Sequence, residues 1–340
     1  MTVKRPTIHE VAGRAGVSHQ TVSRYLQHNG GLKPTTVEKV QTAIEELDYR
    51  PNRLARSMRT RRTGRIAILL PTATKLLPLR LLGALSATAH QAGYTVDLVG
   101  SEGGADDRAT RAQELADSGE FEGILGLASL GASPTAWSAV PVVVMADYDD
   151  ELHGLGALAD GAACGEVVRH LADLGHRSFL HLAGPQSFAS ARNRRKTFVD
   201  TVSKLEVRGA VIDCAWAGQS SYDAITGLPA DTDVTAVVAA NDLLAMGAVR
   251  ASLVRGWRVP DDLSVFGWDD DELARFGTPS MSTVAIDRER QGREAMGRLL
   301  ATIGGTEPPP VDQTSLHTVI YRESTGPAPS ALRRPSQSST

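Results

Sequence analysis

The sequence has few cysteines, few aromatic residues and no long apolar run. Its two cysteines, Cys164 and Cys214, show no metal-site spacing, so we expect buried free thiols in a reducing compartment. The opening residues, MTVKRPTIHE, lack the apolar run of a signal peptide, and no stretch approaches the roughly 20 apolar residues that span a membrane. These absences predict a cytoplasmic protein with no membrane association, metal site or cofactor.

Net charge is also small, at −3, but the charge is unevenly distributed. Residues 1–65 contain 13 basic and 5 acidic residues, a balance of +8, whereas the rest of the chain carries −11. A small basic segment on a larger acidic body predicts that this segment binds a polyanion. A length of 340 residues favours two or three domains, and the abundance of Ala, Val and Leu suits an α/β protein.

The basic segment contains the pattern of three short helices. Thr7 followed by Glu10 fits a capping box, and the helix that it opens ends before Gly16, which allows a left-handed turn. Ser18 caps a predicted second helix over 18–26, and a third over 34–47 starts at a proline. This order is typical of a helix-turn-helix unit, with a surface helical hairpin inside a larger domain as the alternative.

In a helix-turn-helix unit the second helix enters the major groove of DNA. His19 and Gln20 lie at its exposed start and Arg24 one turn further on, so we expect these three side chains to contact base edges. Contacts to phosphates position the protein without specifying sequence. For these we expect Thr7, Ser18, Thr21, Ser23, Thr36 and Asn52.

A basic connector, residues 51–63, follows the three helices. Only about seven of its residues, Asn52 to Met58, are predicted to be helical, and a lone helix of that length is unstable in water. It should therefore form only when it packs against DNA or a symmetry mate. The alternative is a solvated linker, which is the stronger interpretation for Arg61 and Arg62.

The body shows alternating strand-like and helical runs, as in a parallel sheet with crossover helices. One series begins with RIAILL at 65–70, and a second begins near Gly161 and includes FLHLA at 179–183. Two such lobes leave a cleft at the carboxyl ends of their strands, where open α/β sheets bind ligands. The fold class is thus α/β, with a helix-turn-helix head and a two-lobed body.

Polar residues follow several of the predicted strands and are candidates for the cleft. An arginine, an amide and a carboxylate beside the ring of Trp216 would suit a neutral polyhydroxylated ligand. Three alternatives remain open: Asn241 caps the following helix, Trp216 is ordinary core, and Arg192 and Asp242 are structural.

The stretches TIHEVAGRAGVSHQTVSRYL and LDYRPNRLARSM, together with the body, resemble the LacI/GalR family of bacterial transcriptional regulators. The resemblance extends to about residue 324 and is greatest to the lactose-responsive members. It implies a body like that of periplasmic sugar-binding proteins, in which the chain passes three times from one lobe to the other. It also implies that the hinge helices of a dimer pair in the minor groove, with Ala55 near the groove floor and Met58 wedged between base pairs.

For the ligand, the resemblance places inducer contacts on five residues of the second lobe and on one aspartate that follows the last strand of the first lobe. These are Ser190, Arg194, Trp216, Asn241, Asp269 and Asp147. His19 departs from the family pattern of the lactose-responsive members, as do Pro71 and Lys75 in the wall after the first strand. The operator and the glycoside are therefore expected to differ in detail.

The predicted organisation has four parts. It consists of a DNA-binding domain at 1–50, the hinge at 51–63, a ligand-binding and dimerisation domain at 64–324, and a disordered tail at 325–340. The first lobe takes about 64–160 and 289–316, and the second about 161–288 and 317–324. The tail lacks the apolar heptads that join dimers in the lactose-responsive members, so we expect a homodimer.

The expected function is repression of a sugar-utilisation operon, with release from operator DNA by a sugar inducer such as a β-galactoside or related disaccharide. One alternative is a family regulator whose ligand is a co-repressor, and another is a sugar-binding protein without a switch. A glycoside hydrolase using Asp269 and Asp270 is disfavoured, because adjacent residues do not flank a bond from opposed sides. We therefore expect no enzymatic activity.

Overall fold

The computed structural model describes residues 6–26, 31–49, 62–71, 78–131, 140–145, 147–149, 151–312 and 314–330. The described chain forms two compact units, 1–64 and 65–340, and each is treated by itself below. The predicted hinge residues Asn52, Ala55 and Met58 lie outside the described residues.

The first unit contains the three predicted helices: α1 (Ile8–Ala15), α2 (His19–Leu26) and α3 (Pro34–Glu46). The capping box at the start of α1 is confirmed, since the Glu10 amide donates to Thr7 Oγ1 at 3.3 Å and the Thr7 amide donates to Glu10 Oε2 at 2.6 Å. Gly16 takes the left-handed conformation at φ 65°, which lets the chain reverse directly into α2.

The core of this unit is small and is built from one apolar side chain of each helix. Val11, Val22 and Val40 are fully buried, with alanines and Tyr49 around them. Ser18 Oγ accepts from the Thr21 amide at 3.2 Å, so the predicted cap of α2 is confirmed. The helix-turn-helix is therefore held by a few close contacts, which leave the start of α2 exposed.

The second unit begins with a four-stranded parallel sheet, in the order β2-β1-β3-β4. Its strands are β1 (Arg65–Pro71), β2 (Thr95–Ser101), β3 (Gly123–Gly126) and β4 (Val142–Val144), and its crossover helices are α4 (Leu79–Gln91) and α5 (Ala105–Asp117). The middle residues of β1 are fully buried, as expected for a strand covered by helices on both faces.

A second parallel sheet repeats this order as β6-β5-β7-β8. Its strands are β5 (Ser178–Ala183), β6 (Arg208–Asp213), β7 (Ala236–Ala239) and β8 (Ser264–Phe266). A 3₁₀ turn at Gly156–Ala159 precedes it, and its helices are α6 (Ala162–Asp173), α7 (Ala189–Lys204), α8 (Gly218–Thr226), α9 (Asp242–Val254) and the short α10 (Glu272–Arg275). Two lobes with one strand order confirm the predicted α/β architecture.

The chain passes between the two lobes three times. After β9 (Thr283–Ile286), helix α11 (Arg288–Gly304) packs on α4 and β3 of the first lobe. The chain then returns through β10 (His317–Ile320), which pairs antiparallel with β9. Each lobe is thus completed by segments that are distant in sequence.

The tail departs from prediction at its start. Residues 325–330 are bonded to the second lobe: the Gly326 amide donates to Ser264 Oγ at 3.1 Å, and the Ala328 amide donates to the Leu174 carbonyl at 2.9 Å. The predicted tail boundary at 325 is therefore wrong, because these backbone groups find partners that composition does not reveal. Residues 331–340 lie outside the described part of the chain.

One fully buried carboxylate, that of Asp242 at the start of α9, organises the carboxyl edge of the second sheet. It accepts from Thr283 Oγ1 at 2.7 Å and from the Asp271 amide at 2.8 Å. Its own amide donates to the Trp268 carbonyl at 2.8 Å. Burial raises the pKa of Asp242 to about 7, against the opposing effect of these hydrogen bonds.

The loop that Asp242 holds has a constrained backbone. Asp269 and Asp270 both have positive φ, at 111° and 56°, which non-glycine residues rarely adopt. The Asp270 carboxylate accepts from Arg275 Nη2 at 2.5 Å and from Arg322 Nη2 at 2.6 Å. Helix α9, helix α10 and the segment after β10 therefore all hold the loop that carries Asp269.

The raised pKa of Asp242 predicts a pH dependence of stability. Between about pH 4 and pH 7 the folded chain keeps this proton while the unfolded chain releases it, so the contribution to the free energy of unfolding falls as pH rises. Asp242→Asn removes this dependence. Urea unfolding measures the free energy of unfolding of both proteins. The value for the variant minus the value for the parent should rise by up to about 4 kcal/mol between pH 4 and pH 8.

The matched control is Asp261→Asn, an exposed aspartate of the same lobe, which should leave the pH profile unchanged. Parallel profiles for Asp242→Asn and the parent protein would show that Asp242 is ionised throughout.

Candidate functional site

The start of α2 presents the side chains predicted to contact bases. His19, Gln20 and Arg24 are all exposed. The His19 ring lies 5.1 Å from that of His9, and a Cβ added to Gly31 would fall 2.9 Å from Arg24 Nη2, so the guanidinium lies beside that glycine. Glycine at this position, with φ 71°, leaves room for the Arg24 side chain.

The predicted phosphate contacts lie at the starts of the helices. Thr7 Oγ1 lies 3.0 Å from Glu10 Oε2, and the Ser18 and Thr21 hydroxyls lie 2.9 Å apart. Ser23 is half-buried on α2, Thr36 is exposed in the first turn of α3, and Asn52 lies outside the described residues. Amides and hydroxyls at helix starts are suited to phosphate oxygens.

In the second lobe, all four strand ends contribute to one edge. Ser190 follows β5, Trp216 follows β6, Asn241 follows β7 and Asp269 follows β8. Because neighbouring parallel strands end at the same edge, this topology brings the four predicted ligand residues to one end of the sheet.

Arg194 lies buried beneath this edge. Its Nη1 donates to the Ala240 carbonyl at 2.5 Å, and its guanidinium carbon lies 3.9 Å from the centre of the Trp268 ring. Burial lowers the pKa of Arg194 to about 10, partly offset by the charge of Asp269, so the group stays positive at neutral pH. Its Nε has no hydrogen-bond partner among the described residues.

Asp269 faces this guanidinium without pairing with it. Its amide donates to the Val284 carbonyl at 2.8 Å, which fixes the backbone. Burial raises the pKa of Asp269, while the charges of Arg194 and Arg288 oppose that rise. Within the described residues, neither guanidinium comes within 4.0 Å of the carboxylate, so the three charged groups influence one another without forming an ion pair.

Trp216 forms a half-buried aromatic wall. A Cβ added to Gly184 would fall 2.0 Å from the Trp216 ring, so the indole lies directly on the backbone after β5. The Phe188 ring lies edge-on to Trp216 at 5.4 Å, and His153 lies 3.8 Å from Phe188. Trp216 is thus part of an aromatic row and not of the enclosed core.

The remaining candidates have varied roles. Asn241 Oδ1 caps α9 by accepting from the Leu244 amide at 2.9 Å, so one end of its side chain is committed to the helix. Arg192 Nη1 donates to two carbonyls of its own loop, at 2.7 Å each, and Asp242 holds the β8–α10 loop, as the structural alternatives predicted. The Asp147 carbonyl accepts from Leu155 at 2.8 Å, and no described contact joins its carboxylate to Arg194 or Asp269.

Sequence reasoning missed a second group of residues, which come from β10, α11 and the end of the first lobe. Arg288 Nη1 donates to the Tyr148 hydroxyl at 3.2 Å, and that hydroxyl lies 3.1 Å from Gln291 Oε1. The His317 ring lies edge-on to Trp268 at 5.3 Å. The only sequence signal for this group is the run TVAIDRERQ, which is too short to reveal a strand that leads into a helix facing the cleft.

No group of three or more His, Cys, Asp or Glu side chains that could hold a metal ion occurs in the described ranges.

Across the described helices, none combines the length and the apolar character that crossing a membrane requires.

Comparison with known proteins agrees with this geometry. Residues 7–52 match the family model "Bacterial regulatory proteins, lacI family", and residues 168–325 match "Periplasmic binding protein-like domain". The chain is 31% identical to the HTH-type transcriptional regulator MalR of Streptomyces coelicolor, over 96% of this chain and 98% of the relative. It is 27% identical to the HTH-type transcriptional repressor PurR of Mannheimia succiniciproducens, over 87% and 92%.

Solved structures show the same architecture. The Lac repressor dimer bound to operator and the anti-inducer ONPF is 26% identical, with a TM-score of 0.65 over 95% of this chain and 99% of that one. A complex of the transcriptional regulator CelR with cellobiose is 26% identical, with a TM-score of 0.55 over 94% and 100%. The helix-turn-helix unit, the two-lobed body and a relative that matches end to end establish that this chain is a DNA-binding transcriptional regulator of the lacI family.

Proposed function

We propose that the protein represses a sugar-utilisation operon and is released from its operator by a sugar inducer. The observation that carries the proposal is the set of groups at the strand ends of the second lobe. There Arg194 and Asp269 interact electrostatically without an ion pair, and Trp216 follows a neighbouring strand of the same sheet. Guanidinium and carboxylate groups bind vicinal hydroxyls, and an indole face covers the C–H side of a sugar.

The comparisons support a small-molecule ligand of this kind. The CelR structure contains cellobiose, and the Lac repressor structure contains the anti-inducer ONPF together with operator DNA. A β-galactoside or a related disaccharide is the inducer that we propose. Ser190, Arg194, Trp216, Asn241, Asp269 and Asp147 are the proposed ligand contacts.

On the DNA side, His19, Gln20 and Arg24 are the proposed base contacts. Glutamine pairs with adenine through two hydrogen bonds, and arginine does the same with guanine. The helix starts, with Thr7, Ser18 and Thr36 among them, supply phosphate contacts. Asn52, Ala55 and Met58 of the hinge belong to the same proposal, in which the hinge forms against the minor groove.

The proposed switch couples the ligand to the hinge. Inducer in the cleft shifts the first lobes of a dimer relative to each other, and hinge helices that cannot persist alone then lose their mutual packing. A coupling of about 1–3 kcal/mol would change operator affinity by about 5- to 150-fold.

A dimer is the proposed assembly, and the second lobe has an apolar face suited to it. Exposed apolar side chains repeat along α9 and continue onto α10, which packs against it. They are Leu243, Met246, Leu253, Val254, Leu273 and Phe276. A patch that continues across two helices is typical of an interface between copies of a chain.

The proposed division of labour gives one prediction. Arg194→Ala should abolish the sugar-induced rise in melting temperature and leave operator affinity intact, because the guanidinium belongs to the cleft. Arg24→Ala should weaken operator binding by about 5- to 150-fold, equivalent to about 1–3 kcal/mol for a lost base contact, and keep the thermal shift. A thermal-shift screen of mono- and disaccharides and a gel-shift titration measure the two effects.

Loss of both activities in both variants would contradict this division. A gel-shift series in which no sugar changes operator affinity would remove the switching proposal itself.

The dimer gives a second prediction. Phe276→Asp and Leu253→Asp should convert the dimer to monomers, since each places a charge in an apolar contact. Operator affinity should fall by about 100-fold or more, because the two heads then bind independently. Sedimentation velocity and gel shift measure the two effects, and Leu205→Asp is the control at an apolar residue elsewhere on the lobe. A Phe276→Asp protein that remains dimeric would place the interface on another face.

A further inference from the structure

A second guanidinium, that of Arg288, acts electrostatically on the residues around Arg194. Arg288 is the first residue of α11, the helix that packs on the first lobe, and its charge acts on Arg194, Asp269 and His317. Its Nη1 donates to the Tyr148 hydroxyl at 3.2 Å, which directs the side chain along the cleft wall. The charges of Arg194 and Arg288 therefore act on one carboxylate, that of Asp269.

The positive charge at this place is not neutralised by ion pairs. Asp270 is committed to Arg275 and Arg322, and no described carboxylate lies within ion-pair distance of Arg194 or Arg288. Two further carboxylates have charges that reach the same wall, at a greater distance. Asp147 acts on Tyr148, and the exposed Asp160 acts on His317.

The same wall contains buried nitrogen atoms without partners among the described residues. They are Arg194 Nε, Trp268 Nε1, Gln291 Nε2 and His317 Nε2. The first three can only donate, and their side chains are at least nine-tenths buried. A buried donor without an acceptor costs about 1–3 kcal/mol, so a site of this composition favours a ligand rich in acceptors.

Contacts arrange these donors in two groups. The Arg194 guanidinium lies 3.9 Å from the Trp268 ring, and His317 lies 5.3 Å from the same ring. Arg288 reaches Gln291 through the Tyr148 hydroxyl, at 3.2 and 3.1 Å. The two groups are related through the charge of Arg288, which acts on Arg194, Asp269 and His317.

We propose that the effector is an acidic sugar, with an anionic oxygen group held between Arg194 and Arg288 and a neighbouring hydroxyl donated to Asp269. The inference rests on the proposed sugar-responsive regulation, and it replaces the neutral β-galactoside by an acidic sugar in the same cleft. A carboxylate and a phosphate share the chemistry that the two guanidiniums recognise. A neutral sugar also offers hydroxyl oxygens as acceptors, but it has no anionic group to offset the charges of Arg194 and Arg288.

The test compares matched acidic and neutral sugars on the full chain. One pair of probes is D-galacturonate and D-galactose, and the other is D-glucose 6-phosphate and D-glucose. Thermal shift and calorimetry measure the binding of each probe. At least one acidic probe should bind about 10- to 100-fold more tightly than its neutral counterpart, because a charge-assisted hydrogen bond is gained. The uronate and phosphate arms distinguish the two sources of the anionic group.

Variants then assign the preference to Arg288. Arg288→Gln should reduce affinity for the acidic probe by about 10- to 100-fold and affinity for the neutral sugar by much less, whereas Arg288→Lys should retain part of the preference. Arg293→Gln, an exposed arginine on the same helix, is the matched control. Circular dichroism establishes that each variant is folded.

Three outcomes overturn the inference: neutral sugars that bind at least as tightly as their acidic counterparts, no binding by any acidic probe, or an acid preference that Arg288→Gln leaves intact. The first and the third leave the proposed sugar-responsive regulator standing. Only a protein whose operator affinity no sugar changes would contradict both proposals.

Discussion

The candidate site depends on a buried carboxyl group that accepts hydrogen bonds and has no ion-pair partner among the described residues. Asp242 joins the start of α9 to β9 and to the loop after β8, through Thr283 Oγ1 and the Asp271 amide. That loop holds Asp269 at a φ of 111°, a conformation that persists only where the surroundings determine it. The geometry of the carboxylate that we propose as a ligand contact is therefore set by a neighbour that is bonded within the protein.

Much of the fold could be predicted from local pattern. Thr7, Glu10 and Gly16 mark helix boundaries by capping chemistry that acts within a few residues, and the alternating runs of the body identify parallel sheets. The β9–β10 pairing was not predictable, because its strands have four residues each and are separated by a helix and a long loop. The packing of Thr325 and Gly326 on the second lobe was likewise hidden, since polar and proline-rich composition favours disorder.

The same distinction applies to the site. Residues that directly follow a strand, such as Asn241 and Asp269, were found because parallel topology fixes where strand ends meet. Arg288 and His317 were missed because their positions depend on the third passage of the chain between lobes and on the antiparallel pairing of β9 with β10. The spacing of apolar residues in the sequence predicts neither feature. Burial decided between the alternatives for Asp242, whose carboxylate is wholly enclosed and bonded within the protein.

The interleaved course of the chain also determines when each part can fold during synthesis. Helix α11 packs on α4 and β3, so the first lobe lacks part of its core until the ribosome has made residues 288–304. The second lobe waits for Ser324 and Ala328, which bond to Val265 and Leu174. The three-helix unit needs only residues up to Tyr49, so a nascent chain carries a finished DNA-binding unit long before its ligand-binding body is complete.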